Sequence, residues 1–410
     1  MNRYRVNTAQ RIEISMGNIL SSPTLASEKL ISLAESGNAQ AFRALLNLCD
    51  EDGLEDVDLD YQDEDGWSAL MAATSAESEE IVGLLLGKGV NADLQNAEGC
   101  TALWLAAHDG DKNIVKRLID YDAKADIRCN SGTNPVMVSI FQGHTEVLGE
   151  LLTSGAVLRD GNSNGVVELL VAVEKKQEDA VRMLITHNYA DIDAKNEIGL
   201  TALMLASFLG DVSIVKLLIT LGASIEVKDL RGYSAIMFAA TQYQIDVTKL
   251  LVESGASIGV VDKENESIIS KVGDKELLRY LLSTNASTNA STNASTNAST
   301  NASTNSKKQV DIINIVNKAG YTPLMKSSCT GNKDCVKLLL DHNADPNTQN
   351  GNGLTALMMA SHKGHKDVVE LLLKYGAKIN AKDKNSWTAL DHTHIEDREI
   401  IDLLLQNTTV

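Results

Sequence analysis

A glycine returns every 33 residues along most of this chain, and each return opens the same short phrase. It reads Gly66-Trp67-Ser68-Ala69-Leu70, Gly99-Cys100-Thr101-Ala102-Leu103, Gly132-Thr133-Asn134-Pro135-Val136 and Gly165-Val166-Val167-Glu168-Leu169. After one extra residue it resumes as Gly199-Leu200-Thr201-Ala202-Leu203 and Gly232-Tyr233-Ser234-Ala235-Ile236. A unit of this length holds a turn and two short helices, too little chain to enclose a core, so the next unit must cover its apolar face. The period therefore dictates a solenoid, and a count of units replaces a count of domains.

Within the Gly99 unit, Thr101 is placed to cap a first helix over 102–107, its hydroxyl meeting an amide that has no partner inside the helix. Gly110 and Asp111 supply a turn. Ile114, Val115, Leu118 and Ile119 then recur at the spacing of a second amphipathic helix. The run from Tyr121 to Asp126 ends it, and polar residues up to Gly132 form the connecting loop.

This pattern resembles the ankyrin repeat, whose phrase is Gly-x-Thr-Pro-Leu-His-x-Ala-Ala, then a Gly-His turn, Val-Val, Leu-Leu and Gly-Ala-Asp-Val-Asn. The best match starts at Gly353-Leu354-Thr355-Ala356-Leu357 and continues through Gly364-His365, Val368-Val369, Leu371-Leu372-Leu373 and Gly376 to Asn380. Gly320-Tyr321-Thr322-Pro323-Leu324, with Gly331 and the run Asn343 to Asn347, follows it nearly as well. The resemblance implies an all-α fold: an ankyrin-repeat solenoid of helix-turn-helix units with hairpin-like loops.

The expected organisation is a leader over 1–22, an array of about eight units over 23–283, a low-complexity insertion over 284–308 and three further units over 309–410. Leu30, Ala34, Gly37, Phe42, Leu45 and Leu46 mark a first unit that caps the stack, with Glu28, Lys29 and Glu35 toward solvent. Two units depart from the phrase. The Gly165 unit puts Val167-Glu168 in place of Thr-Pro and Lys176 at its turn, which weakens the capping of its first helix. The unit at Asn265 lacks the glycine and part of a helix, leaving Ser267-Ile268-Ile269 and Leu277-Leu278 to Leu281-Leu282.

The insertion repeats Ser-Thr-Asn-Ala without charge or bulk, so it offers too little apolar area to offset its ordering entropy and is expected to be disordered. It stands where a connecting loop belongs. Lengthening a loop from about 6 to about 30 residues costs roughly 1.4 kcal/mol in closure entropy. One continuous stack across the insertion and two tethered arrays are both compatible with the sequence.

A formal charge of -18 disfavours nucleic acid and anionic membrane and favours a basic protein partner. The five cysteines, Cys49, Cys100, Cys129, Cys329 and Cys335, form no CxxC pair, which suggests reduced thiols. Residues 1–22 lack the continuous apolar core of a secretory signal, and no uncharged apolar run is long enough to insert in a membrane. A cytoplasmic location is expected. The Asn-Ala-Ser triplets at Asn285, Asn289, Asn293, Asn297 and Asn301, and Asn407-Thr408-Thr409, match glycosylation acceptors but are inert without secretion.

Chemistry finds no footing in the motifs. His365 is the turn histidine implied by the resemblance, while His392 and His394, placed in the last unit's first helix, and His362 lack further ligands at metal spacing. No phosphate loop or nucleophile elbow occurs, so neither catalysis, cofactor nor metal is expected. The acidic run from Asp50 to Asp65 contains no basic residue and reads as a solvated loop, or as a steering surface for a basic segment.

The resemblance further implies that the residue after the opening glycine and those following the Ala-Ala pair project into a concave groove. Those positions hold Trp67, Tyr233, Tyr321 and Trp387 on loops and His108, Phe141, Phe208 and Leu209 at helix ends, with Trp104 near the same face. Two readings stand: anchors for an extended partner segment, or large side chains that pack on the neighbouring loop. Thr408-Thr409-Val410 also resembles a carboxy-terminal ligand for a sheet domain. The expected function is a non-enzymatic adaptor or scaffold binding a protein with a basic or extended segment; the alternative is an inhibitory subunit or effector that occludes an enzyme.

Overall fold

The computed structural model describes residues 23–51, 57–154, 165–284 and 312–408, apart from the side chains of 49–51 and 408. The leader over 1–22, nearly all of the insertion with its five triplets, residues 52–56 of the acidic run and Thr409-Val410 lie outside the described residues. The chain forms two compact bodies, Met1–Ala194 and Lys195–Val410.

In the first body, paired helices follow one another as Pro23–Glu35 with Ala39–Glu51, Ala69–Ser75 with Glu79–Gly87, and Ala102–Asp109 with Lys112–Asp120. Pro135–Gln142 with Thr145–Thr153 and Val166–Glu174 with Glu178–Thr186 complete it. The second body continues with Ala202–Leu209 and Val212–Thr220, Ala235–Thr241 and Ile245–Glu253, and Ile268–Lys271 with a helix over 275–284. Pro323–Thr330 with Lys333–Asp341, Ala356–His362 with Lys366–Lys374, and Arg398–Thr408 close it. Within each body, first helices pack on first helices and second on second. Among the described residues the only extended pairing is in isolated bridges, Gln62 with Ser68 and Val261 with Ser267, which make the hairpin-like loops.

The helices start where their caps place them. Thr101 accepts from the Trp104 amide at 3.2 Å, and Asn134, Thr201, Thr322 and Thr355 do the same in their own units. In the Gly165 unit, the helix begins at Val166, with no side chain capping it. Leu103, Ala106, Ala107, Ile114, Val115 and Leu118 are buried, whereas Ile119 at the end of the stripe is only half-buried. Each fully buried Leu, Ile or Val contributes about 1.5–3 kcal/mol, and that area exists only because a neighbour covers it.

One expected helix is missing. The segment from Ala389 to His394 forms turns, so His392 and His394 do not lie in a helix. Asp391 accepts from both the amide and the hydroxyl of Thr388 at 2.8 Å, and His392 points to Asp383 at 3.1 Å. Asp, His and Thr in succession have weak helix propensity and offer the backbone competing bonds.

The period is repeated in the hydrogen bonds. Ahead of most of these glycines a loop Asn or Asp accepts two amides of its own loop, as Asp63 does from Asp65 and Trp67 at 3.0 and 2.8 Å. Successive loops are then tied backbone to backbone, Ala97 to Asp65 at 2.9 Å and Asn130 to Glu98 at 2.9 Å in the first body, Leu230 to Ile198 at 3.2 Å and Lys263 to Arg231 at 2.9 Å in the second. In the second body the same tie joins Lys318 to Glu264 at 2.8 Å, so the Gly320 unit packs directly on the Asn265 unit. The loop geometry explains the glycines: at Gly199 φ is +81°, and an added Cβ would lie 2.8 Å from the Leu230 nitrogen. Where glycine is lost, Asn265 and Ser386 hold the same left-handed conformation, with φ of 59° and 67°.

Gly199→Ala is expected to cost about 2–4 kcal/mol, since it combines backbone strain with a clash against the next loop. Gly222, at φ +100° with nothing within 4 Å, separates the two effects. Gly222→Ala is expected to lose only the dihedral strain, about 1 kcal/mol. Thermal unfolding of the two full-length variants checks the order; equal losses would contradict the stacked-loop geometry.

Candidate functional site

In the first body, the loop bonds to Asp63 hold Trp67 half-buried beside a cleft of about 290 Å³ that Glu35, Asp63, Asp65 and Ser75 also line. Trp104 is more firmly fixed. Its indole Nε1 donates to Thr133 Oγ1 of the next loop at 3.1 Å, and its ring stacks on His108 at 5.4 Å. His108 Nδ1 lies 2.7 Å from the Asp109 carboxylate. Phe141, ending its helix, stays 40% exposed, with the Lys175 ammonium 5.3 Å from its ring centre.

The second body carries the other candidates. Phe208 is 40% exposed and meets Phe238 edge-on at 6.3 Å; Leu209 beside it is half-buried. Tyr233 packs on Phe238 at 5.6 Å, lies beneath the Arg231 guanidinium at 4.6 Å, and its hydroxyl accepts from Lys271 Nζ at 2.8 Å. Tyr321 is half-buried, its amide bound to Asn317. Trp387, at 51% exposure, touches the His392 ring edge-on at 5.4 Å.

The candidate aromatics differ in how they are held. Trp104 and Tyr233 are bonded to neighbouring units, whereas Phe141, Phe208 and Trp387 leave large apolar area in solvent. Such preset rings can receive the side chains of an extended chain with little ordering cost. Among the described residues, no group of three His, Cys, Asp or Glu side chains is placed to hold a metal ion, and no helix is long and apolar enough to cross a membrane.

A polar network beside Tyr233 went unread in the sequence. Lys271 Nζ lies 2.9 Å from both Asp262 and Glu266, and Glu266 also receives Lys326 at 2.6 Å and Asn317 at 3.0 Å. Burial pushes the Glu266 carboxyl up, but the hydrogen bonds from Lys326, Lys271 and Asn317 outweigh it and bring it to about 2. Burial pulls the Lys271 ammonium down, and Tyr233, Glu266 and Asp262 more than reverse that. The signal was present: Lys271 and Lys326 stand four residues after their caps, where other units place Leu205, Phe238 or Met359. A second cluster, in the first body, holds buried Glu168 between Asn134 at 3.1 Å and Arg128 at 3.5 Å, at the position where the phrase has proline.

A family model described as Ankyrin repeats (3 copies) matches residues 77–163, 169–262, 267–383 and 343–410. No curated protein matches the chain. Among solved structures, a chain of "Bd0816 Predatory Endopeptidase from Bdellovibrio bacteriovorus in complex with immunity protein Bd3460" aligns at 26% identity with a TM-score of 0.42, covering 50% of this chain and 96% of that one.

The Glu266 carboxyl is lowered on folding, so its stabilisation is complete above the unfolded value near about 4.3 and disappears as pH falls through about 2. Glu266→Gln is expected to cost about 1–3 kcal/mol at pH 7. Chemical unfolding across the acid range should show that gap closing between about pH 4.5 and pH 2. A gap independent of pH would contradict the ionic role of Glu266.

Proposed function

Because this chain belongs to the ankyrin-repeat family, we propose that it is a non-enzymatic scaffold or adaptor that binds a partner protein on the groove face that the first helices and loops form in each body. The observation that carries this reading is the division of the four phenylalanines. Phe42 and Phe238 are buried, at 0% and 7% exposure, while Phe141 and Phe208 stand at 40% on helix ends. A chain so short of aromatics, with 4% Phe, Trp and Tyr, keeps half its phenylalanines outside the core. Each ring, once covered by a partner, would supply about 1.5–3 kcal/mol before association costs.

The partner's chemistry follows from charge. The net charge of -18, and Glu35, Asp63 and Asp65 around Trp67, favour a basic, extended segment. Function requires rigid display and no bond-making step. Five scattered cysteines without a CxxC pair support a reducing, cytoplasmic setting.

The test is affinity capture from the native cell with wild type and a Phe141→Ala, Phe208→Ala double variant. The double variant is expected to lose at least about tenfold in recovery of a stoichiometric partner, a loss of about 1.4 kcal/mol. Its melting temperature should stay within about 2 °C of wild type. A collapsed melting temperature, or undiminished capture, would remove these rings from the binding surfaces of their two bodies.

A further inference from the structure

In the loop of the Gly99 unit, Asn96 Oδ1 accepts the amides of Glu98 at 3.1 Å and Cys100 at 2.8 Å. The equivalent position of the next unit is Cys129, and there a sulfur replaces the amide oxygen. Cys129 Sγ lies 2.9 Å from Ser131 Oγ and 2.9 Å from Thr133 Oγ1, and the backbone amides of both residues also face it. This cradle of hydroxyl and amide donors suits a thiolate as it suits a carboxylate or amide oxygen elsewhere.

A second thiol stands against the first. The Asn130 amide donates to the Glu98 carbonyl at 2.9 Å, and a Cβ built on Gly99 would fall 2.9 Å from the Asn130 nitrogen. Cys100 follows Gly99 and Cys129 precedes Asn130, so the two cysteines flank the point at which the loops are bonded, with the Cys129 side chain neighbouring the Cys100 thiol. Both are buried, at 3% and 7% exposure, but Asn130, Ser131 and Gly132 beside Cys129 are exposed, so the cover is thin. Thr133 Oγ1, which contacts the Cys129 sulfur, also accepts from Trp104 Nε1 at 3.1 Å.

We propose that Cys129 and Cys100 form a peroxide-sensitive thiol pair, whose oxidation to a disulfide locks the loops of two adjacent repeats and resets Trp104 through Thr133. Burial pushes the Cys129 thiol up, but the bonds from Ser131 and Thr133 outweigh it and bring it to about 7. Burial, with Cys129 alongside, pushes Cys100 up to about 12. Cys129 is therefore the attacking thiolate and Cys100 the resolving thiol.

The Cys129 thiolate attacks one oxygen of hydrogen peroxide; an S–O bond forms, the O–O bond breaks, and the departing hydroxide becomes water. Cys100 sulfur then attacks the Cys129 sulfenic acid; an S–S bond forms, the S–O bond breaks, and the hydroxide leaves with the Cys100 proton as water. Two thiols and one peroxide give one disulfide and two waters. A disulfide sulfur is a weaker acceptor than the thiolate that faces Thr133 Oγ1 in the reduced protein, so the hydroxyl that holds the Trp104 indole reorients. Bond formation is independent of the binding role proposed above; only an effect on a partner would depend on it.

The experiment treats the reduced, full-length protein with millimolar hydrogen peroxide, then maps the cysteines by mass spectrometry without reductant. A peptide pair linked through Cys100 and Cys129, removed by dithiothreitol, is expected. Tryptophan emission should shift with it and recover on reduction, and Cys129→Ser should abolish both changes. In Cys100→Ser, which keeps the attacking thiol and its cradle, dimedone should label Cys129 as the trapped sulfenic acid. Should both thiols remain alkylatable after peroxide, or Cys129 link elsewhere, or dimedone fail to label Cys129 in Cys100→Ser, the proposal is overturned.

Discussion

Everything in this molecule depends on lateral burial between similar small units. A pair of helices such as Ala102–Asp109 and Lys112–Asp120 has no interior of its own; Leu103, Ile114 and Leu118 reach complete burial only because units lie on both sides. The conformational entropy of ordering each residue is of order 1–2 kcal/mol, which a lone unit cannot offset. Neighbours supply the missing area, and the loops add backbone bonds such as Asn130 to Glu98. That same design leaves one helix edge and the loop of each unit outside the core, where Phe141 and Phe208 stay exposed while Trp104 and Tyr233 bond to the next unit.

What the sequence made legible was whatever the repeat enforces. Gly199 and Gly232 are readable because the loop requires positive φ and the next backbone lies too close for a Cβ. Thr101, Thr201 and Thr355 are readable because an N-cap needs a short side-chain oxygen at that point. The false expectation concerned His392 and His394, where the repeat phrase suggested a helix but Asp391 and Asp383 draw the backbone and ring into turns. Local side-chain competition overrode the period there.

The illegible part arises between units and depends on pairs with no fixed spacing. Glu266 and Lys326 are 60 residues apart across the low-complexity insertion, so only packing in the second body brings them together. Glu168 looked like a simple loss of the Thr-Pro phrase; the structure shows a buried acid satisfied by Asn134 and Arg128 of the preceding unit. Cys129 was countable as a thiol, but its donor cradle appears only when its position is recognised as that of Asn96. Of the groove candidates, Trp104 and Tyr233 proved to be bonded to neighbours, a distinction that aromatic type and position do not carry.

Lateral burial is tested most directly by removing the neighbours. A synthetic peptide spanning 96–128, a complete Gly99 unit, would be followed by far-ultraviolet circular dichroism on heating, beside the full-length chain. The account expects a coil spectrum with no transition from the peptide and a cooperative helical transition from the whole protein. A helical peptide that melts cooperatively would contradict it, since the unit would then hold its fold without the contacts on which the rest has been built.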